Sequence, residues 1–396
     1  MPVSAERAIP SPRRGFGLYV HWPFCVSKCP YCDFNSHVRE RVDAARWQRA
    51  YLAEMGHYAA AGVGQGEEIT SVFFGGGTPS LMPPETAAAI LQAARGHWAF
   101  ADDVEITLEA NPNSAEAGKF AAFAQAGINR LSIGVQSFDA DVLRFLGRAH
   151  DATEARRAIE AARNAVPRYS FDLIYARPGQ DAEQWQRELR EALALAGDHL
   201  SLYTLTIEPN TGFAGAVARG ALQPMPSDDQ AALYDLTQDI LDRAGLPAYE
   251  ISNHARPGGE SRHNLVYWRS GAYLGLGPGA HMRLQGADGW QAVQNRRKPE
   301  AWLEQVEAAA HGQESATPVS DAERAEEALM MGLRLAEGVY AENFRAATGL
   351  DLAVFVPAER SAPLEAAGLL YRDNVRLVAS RAGRAVLDGL LARLLA

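Results

Sequence analysis

The sequence predicts an α/β chain: a partial (β/α)6 barrel followed by a C-terminal winged-helix-like domain. Three observations point there. Six short apolar runs alternate with alanine-rich helical stretches, polar residues gather where those runs end, and the residues from about Ser320 onward read as helices followed by a short hairpin.

The strand candidates, in order, are 18–21, 70–74, 104–108, 130–135, 169–174 and 200–205, and the helical stretches between them include 84–98, 116–126, 153–164 and 182–196. Short strands separated by helices imply βαβ units, hence a parallel sheet with right-handed crossovers. A doubly wound sheet shares that alternation. The barrel is favoured because 75–78, Glu109, Gln136, Asp172 and Thr206 each fall at or near the end of a strand, where barrel enzymes collect their chemistry.

Beyond 205 the pattern loosens. Residues 209–226 read as a loop and 228–244 as a helix, while 250–281 is dense in Asn, His, Gly and aromatics. Helical periodicity resumes at 299–311 and 321–336, and a turn at Asp373-Asn374 joins two short strands before a last helix from Ala382. Four parts are expected: a disordered arm over 1–14, the barrel over 15–245, a connecting and ligand-proximal segment over 246–312, and the winged-helix-like domain over 313–396. That last domain reads as a packing or protein-contact module rather than a DNA reader, because the chain is acidic.

The 396 residues suit one large unit plus a smaller one, and the net charge of −10 argues against a nucleic-acid binder. No run of 18 apolar residues exists to span a membrane, and residues 1–14 hold no apolar stretch of a secretory signal. A cytoplasmic location is therefore expected. Only three cysteines occur, all within eight residues. Disulfides want spaced pairs in an oxidising compartment, so a metal site is the better reading.

Residues 19–37 read Tyr-Val-His-Trp-Pro-Phe-Cys-Val-Ser-Lys-Cys-Pro-Tyr-Cys-Asp-Phe-Asn-Ser-His. Soft sulfur ligands select zinc or an iron–sulfur cluster. Structural zinc wants four protein ligands, and His21 or His37 is available as the fourth. A cubane cluster on three cysteines leaves one iron open to a small molecule. The second motif is the strand 70–74 running into Gly75-Gly76-Gly77-Thr78-Pro79. Such a glycine run lets backbone approach a ligand closely, or simply makes a tight turn.

Cysteines spaced three residues then two, with an aromatic before the last, resemble the radical S-adenosylmethionine superfamily, and the glycine run resembles its element for the methionine amino group. Together the two motifs leave zinc little ground. Glu109-Ala110-Asn111-Pro112, Ile133-Gly134-Val135-Gln136-Ser137, Asp172-Leu173-Ile174-Tyr175 and Glu208-Pro209-Asn210-Thr211 are similar to the coproporphyrinogen-oxidase-like branch. Within it, 249–253 and 261–268 look like the HemW haem chaperones, and the resemblance covers nearly all of the chain after residue 15.

The resemblance implies a 4Fe–4S cluster on Cys25, Cys29 and Cys32 with S-adenosylmethionine at the open iron. It places Tyr19, Gly76, Gly77, Thr78, Glu109, Gln136, Arg148, Asp172 and Thr206 in contact with that cofactor. Carboxylates suit its ribose hydroxyls or amine, and Arg148 suits its carboxylate. Taken singly, Gln136 and Thr206 equally satisfy backbone at strand ends, and Arg148 equally reads as a surface cation. Two departures stand out: Ala176 and Arg177 replace the Gly-Leu usual before Pro178-Gly179, and His254 stands where an aromatic is common.

The decarboxylating enzymes of this branch usually carry a further cysteine two residues after the third, here Phe34, and a longer segment before the cluster. A porphyrinogen propionate also needs cations near the barrel mouth, and the sequence displays no evident cluster of them. The expectation is a haem chaperone that binds haem and passes it to acceptor apo-haemoproteins, with an electron donor serving the cluster. Whether it is also an enzyme stays open. The alternatives are oxidative decarboxylation of coproporphyrinogen III and a binding module without chemistry. Haem iron takes axial His or Tyr, so His263, Tyr267 and His281 are the candidate ligands, with His254 a weaker one and Trp268 a stacking face. On the other reading, His263 and Asn264 cap a turn while Tyr267 and Trp268 fill core.

Overall fold

The computed structural model describes residues 12–286 and 289–396, so the arm expected over 1–14 lies almost wholly outside the described residues. The six expected strands form in sequence order: β1 Phe16–Trp22, β2 Glu68–Gly76, β3 Ala99–Ala110, β4 Arg130–Gln136, β5 Arg168–Tyr175 and β6 His199–Thr204. Each is the parallel neighbour of the next.

Their side chains alternate with period two, as a pleated strand requires. One set is apolar: Leu18, Val20, Val72, Phe74, Ile106, Leu108, Leu131, Ile133 and Leu173 are buried in one cluster with Ala87, Ile90, Ile159, Trp185 and Leu189 of the flanking helices. The opposite set is polar and holds itself together. The Arg130 guanidinium donates to Ser170 Oγ at 2.8 Å, Ser132 and Ser170 hydroxyls pair at 3.1 Å, and Arg130 lies 3.7 Å from Glu105. Helices Ala152–Ala165 and Ala182–Leu195 each begin with a capping box, on Asp151 and Asp181, which satisfies N–H groups otherwise unpaired in the first turn.

The barrel is open, because the sheet continues past both ends instead of closing. After β6 comes antiparallel β7, Asn253–Ala255. On the other side, β8 (Ala272–Leu276) runs parallel to β1, and β9 (His281–Gly286), β10 (Gly289–Asn295) and β11 (Gln313–Val319) follow antiparallel. The sheet has eleven strands. The segment 246–312, read from sequence as connecting, thus contributes four strands. Residues 313–319 also pair into this sheet, so the smaller unit starts at Ser320 rather than 313.

That unit has its own core, including Leu329, Leu333, Phe344, Leu377 and Leu390. Its helices Asp321–Gly332, Ala341–Thr348 and Ala358–Ala366 pack with a three-stranded antiparallel sheet of Val339–Tyr340, Leu370–Arg372 and Arg376–Ala379, the winged-helix-like pattern expected. Ion pairs Arg269–Glu337 and Arg283–Glu327, each 2.7 Å, join it to the larger unit, from the end of helix Arg262–Trp268 and from β9. Among the described residues no helix is long and apolar enough to cross a membrane.

Candidate functional site

The three cysteines lie in the loop that leaves β1. Their sulfurs are partly exposed and line a cavity of about 200 Å³ at the C-terminal ends of β2 to β5. The Thr78 hydroxyl donates to Cys25 Sγ at 3.3 Å, the Arg148 guanidinium to Cys29 Sγ at 3.5 Å, and Cys32 Sγ lies 4.0 Å from Ser36 Oγ. Burial pushes the Cys25 and Cys32 thiols up.

Of the two histidines considered as a fourth zinc ligand, His21 is already engaged. His21 uses both ring nitrogens, on the Tyr19 hydroxyl at 3.0 Å and the Asn35 carbonyl at 2.9 Å, and His37 Nε2 sits 3.1 Å from Asn35 Oδ1. Among the described residues no three His, Cys, Asp or Glu side chains converge on a single metal-ion position. A cubane does not require that convergence, since each thiolate takes a different iron at a different corner. The donor set fits a cluster with one open corner better than a single ion.

The glycine run packs directly under this loop. Gly77 N donates to Trp22 O at 2.8 Å and Thr78 N to Phe24 O at 2.9 Å. A Cβ on Gly77 would lie 2.8 Å from Pro23 and Phe24 backbone atoms, and one on Gly76 (φ 113°) 2.5 Å from the His21 ring. The close approach that demands glycine is therefore the chain's own. The Gly76 amide is turned to Glu109, 3.2 Å from Oε2.

Glu109 and Asp172 line the cavity from β3 and β5. Burial, then the nearby Asp172 charge, pushes Glu109 up to about 8. Burial also raises Asp172, to about 6, against the pull of the Ser201 hydroxyl and of Arg130 and Arg148. Gln136 ends β4 in the left-handed region (φ 69°), and its Oε1 is buried without a hydrogen-bond partner. A buried polar atom without a partner costs free energy, so this amide is set for a ligand donor. Arg148 is no surface cation: it bonds Asn111 Oδ1 at 2.5 Å, the Gly134 carbonyl at 2.8 Å and the Tyr31 hydroxyl at 3.4 Å. Asn111 in turn donates to Thr78 Oγ1 at 3.0 Å, which links Arg148 to the Cys25 sulfur.

Of the residues named from sequence, Gly76, Gly77, Thr78, Glu109, Gln136, Arg148 and Asp172 share this cavity with the cysteines. Thr206 does not; it is exposed, its hydroxyl 3.4 Å from Thr204 O. Tyr19 faces the neighbouring cavity. Asn111, Ser132 and His150 line the site without having been singled out, although Asn111 stands inside the Glu-Ala-Asn-Pro stretch that drew notice.

A second cavity, about 570 Å³, shares Phe34, Gly76 and Glu109 with the first and lies between β8–β10 and helix Asp321–Gly332. Tyr267, Trp268 and Tyr273 give it aromatic walls, and Arg283, Arg297, Arg324 and His281 line it as well. This overturns the expectation that no cations gather near the barrel mouth: the guanidiniums are far apart in sequence and meet only when β9, the turn after β10 and the C-terminal unit come together. Glu327 partly neutralises two of them, at 2.7 Å from Arg283 and 3.0 Å from Arg324.

His263 lies behind that wall. It is buried, with Nδ1 2.9 Å from Ser71 Oγ and Nε2 2.7 Å from the Tyr267 hydroxyl, and it stacks on Phe73. Burial lowers it to about 3, so it is neutral. The turn is capped by Ser261, whose Oγ accepts from Asn264 N. Tyr267 and Trp268 are half-buried and reach the cavity. His281 is exposed at the rim, and His254 is buried against Gln238 at 3.2 Å, outside both cavities. The departure after β5 is compensated locally. Ala176 adopts φ 56° without being glycine, and buried Arg177 pairs with Glu188 at 2.6 Å.

The chain matches the Radical SAM superfamily over residues 19–192 and the HemN C-terminal domain over 319–386. It is 42% identical to the bovine (Bos taurus) mitochondrial radical S-adenosyl methionine domain-containing protein 1, over 96% of this chain and 87% of that protein. It is 42% identical to the heme chaperone HemW of Escherichia coli strain K12 over 69% of this chain and 71% of that one, and 36% identical to HemW of Mycobacterium tuberculosis over 100% and 98%. The solved structure of the E. coli coproporphyrinogen III oxidase HemN covers 97% of this chain and 91% of its own, with a TM-score of 0.79 at 23% identity, a likeness of fold.

Proposed function

The chain belongs to the HemW-type branch of the radical SAM superfamily, and from that premise we propose that it is a haem chaperone holding its cargo in the second cavity. The observation that carries this reading is the wall that cavity shares with the cysteine site, at Phe34, Gly76 and Glu109. A volume of several hundred Å³ with aromatic walls and a few placed polar groups suits a flat, largely apolar ligand. Arg283 and Arg297 suit its two carboxylates, as planar guanidiniums do. Partial desolvation at the cavity rim and the neighbouring Arg283 and Arg297 charges hold His281 below its usual range, leaving a neutral imidazole with a lone pair for iron. Tyr267 is the second candidate ligand. His263 reaches iron only by giving up its bond to Tyr267.

In this reading Cys25, Cys29 and Cys32 hold a 4Fe–4S cluster, which supplies one-electron chemistry and an open iron for S-adenosylmethionine. Glu109 and Asp172 take the cofactor's hydroxyls or amine, Gln136 Oε1 accepts a further ligand N–H or O–H, and the Asn111–Thr78 link keeps Arg148 in place. Phe34 stands at the junction of the two cavities and has no proton to give or take, where decarboxylating relatives of the branch usually place a cysteine.

The guanidinium cluster favours a second reading, because a porphyrinogen bearing more carboxylates would also be held by it. One experiment separates them. Anaerobically reconstituted protein is titrated with haem, mixed with an apo-haemoprotein, and separately incubated with coproporphyrinogen III, S-adenosylmethionine and reductant. The chaperone reading predicts about one haem per chain, transfer to the acceptor, a Soret shift in His281→Ala, and no protoporphyrinogen IX. Formation of protoporphyrinogen IX overturns it.

A further inference from the structure

Two guanidiniums of the second cavity are already occupied by the protein itself. Arg283 of β9 and Arg324 of helix Asp321–Gly332 both line that cavity, and between them stands Glu327, one turn on from Arg324. Both of its carboxylate oxygens are taken. Arg283 Nη2 donates to Oε1 at 2.7 Å, Arg283 Nε lies 3.1 and 3.2 Å from Oε1 and Oε2, and Arg324 Nη1 donates to Oε2 at 3.0 Å. Although burial works against its charge, the two guanidiniums hold Glu327 below the usual carboxylate range. It is ionised at neutral pH.

The three groups differ in what else holds them. Arg324 is buried, donates from Nη2 to the Ser270 carbonyl at 2.6 Å, and lies 3.9 Å over the Trp290 ring. Arg283 Nη1 donates to the Met282 carbonyl at 3.2 Å. Both cations therefore stay in place if Glu327 moves. Among the described residues the Glu327 carboxylate bonds nothing but these two arginines, and its side chain is partly exposed in the cavity wall. The anion is the movable member of the group.

We propose that Glu327 is a built-in competitor for the cargo's carboxylates: it fills the Arg283–Arg324 pair while the cavity is empty, turns away when a ligand carboxylate arrives, and returns as the cargo leaves. The proposal rests on the haem-chaperone reading and names what limits its affinity. A ligand carboxylate offers the guanidiniums the same planar pair of oxygens as Glu327 does, so the exchange gains little. Apparent affinity falls with the fraction of molecules in which the arginines are free. Release is eased for the same reason: Glu327 pairs with both cations again, so departing cargo leaves no buried charge stranded. A ligand without carboxylates does not meet this competition.

The test titrates haem, and separately haem dimethyl ester, which has no free carboxylate, into the full-length protein and its Glu327→Gln variant. Glu327→Gln should bind haem about tenfold tighter, the size of one hydrogen bond to a charged group, and pass it to apomyoglobin more slowly. The ester should bind parent and variant alike. Arg283→Met/Glu327→Gln should lose most of the gain, because the freed guanidinium is gone. A crystal structure of the haem-loaded parent, which needs no variant, should show a haem carboxylate on Arg283 or Arg324 and Glu327 turned away. Equal haem affinity in parent and Glu327→Gln, or a haem-loaded parent with Glu327 still on both arginines, overturns the proposal and leaves the chaperone reading standing. So does a variant that tightens on the ester as much as on haem, since a loosened C-terminal unit would then be the cause. Failure of both proteins to bind haem overturns the chaperone reading and the proposal together.

Discussion

Two glutamates whose carboxyls are both pushed up by their surroundings show how this protein separates structure from site. Glu54, inside helix Ala44–Ala60, is fully buried and surrounded by donors: Gly277 N at 2.8 Å, Asn295 Nδ2 and Gly312 N at 2.9 Å, and Trp302 Nε1 at 3.0 Å. Those donors come from the β8–β11 extension, so one carboxylate ties that extension to the barrel. Burial pushes it up to about 7, against the pull of the four N–H groups. Glu109 receives one N–H, from Gly76, and faces the like charge of Asp172. Near it Gln136 Oε1 has no partner. Where the protein completes the hydrogen bonds the carboxylate is structural; where it leaves them incomplete it leaves room for a ligand.

The largest expected effect lies on the structural side. Glu54→Ala strands three buried donors and takes one of two partners from Asn295 Nδ2, and at about 1–3 kcal/mol each the loss is at least about 3 kcal/mol, a large part of a typical domain's stability. Glu109→Gln, by contrast, replaces a carboxyl that already holds its proton near neutral pH with a neutral amide and should leave the unfolding free energy within about 1 kcal/mol of the parent. Denaturant unfolding of both variants checks this, and equal losses would break the comparison.

The order reverses for ligand binding. Glu109→Gln and Gln136→Ala in reconstituted protein should each weaken S-adenosylmethionine binding by about tenfold or more, as lost hydrogen bonds of about 1.5–3 kcal/mol imply where a charged group is involved. Calorimetric titration reads this directly.

A pH series sharpens the same contrast. Between the ordinary carboxylate range and about 8, folded Glu109 keeps a proton that the unfolded chain has released. Its contribution to stability is full below that ordinary range and is lost as pH rises through about 8. Thermal stability of the ligand-free protein should therefore fall toward pH 8, less steeply in Glu109→Gln. A slope unchanged by the substitution contradicts the assignment.

The smallest effect concerns the loop after β5. Ala176 sits at φ 56°, where a Cβ costs about 1–2 kcal/mol. Ala176→Gly should stabilise the protein by up to about 1 kcal/mol, since glycine also loses more entropy on folding, with cofactor binding unchanged.

The sequence revealed much of the barrel because its signals are local. Strands such as 130–135 and helices such as 182–196 announce themselves by period, and the cysteines by spacing. The extension did not announce itself. It begins with β8, which pairs with β1 across most of the preceding chain, Phe16 opposite Ala272, before β9 and β10 follow as a hairpin and β11 after an intervening helix. The second cavity was hidden for the same reason: Arg283, Arg297 and Arg324 become a cluster only in three dimensions. His263 was ambiguous in sequence because a histidine beside tyrosine and tryptophan suits iron and core alike; Ser71 and Tyr267 occupy both its nitrogens. Thr206, which the resemblance places at the cofactor, is exposed after β6 with its hydroxyl 3.4 Å from Thr204 O.

The central claim is that three thiolates and the incomplete polar ring around them hold a cluster with one open iron. Electron paramagnetic resonance of the dithionite-reduced, reconstituted protein, with and without S-adenosylmethionine, tests it most directly. The account predicts a reduced 4Fe–4S signal that S-adenosylmethionine changes, and no signal in the Cys25→Ala/Cys29→Ala/Cys32→Ala protein. Stoichiometric zinc with iron near zero, or a cluster signal indifferent to S-adenosylmethionine, would contradict it.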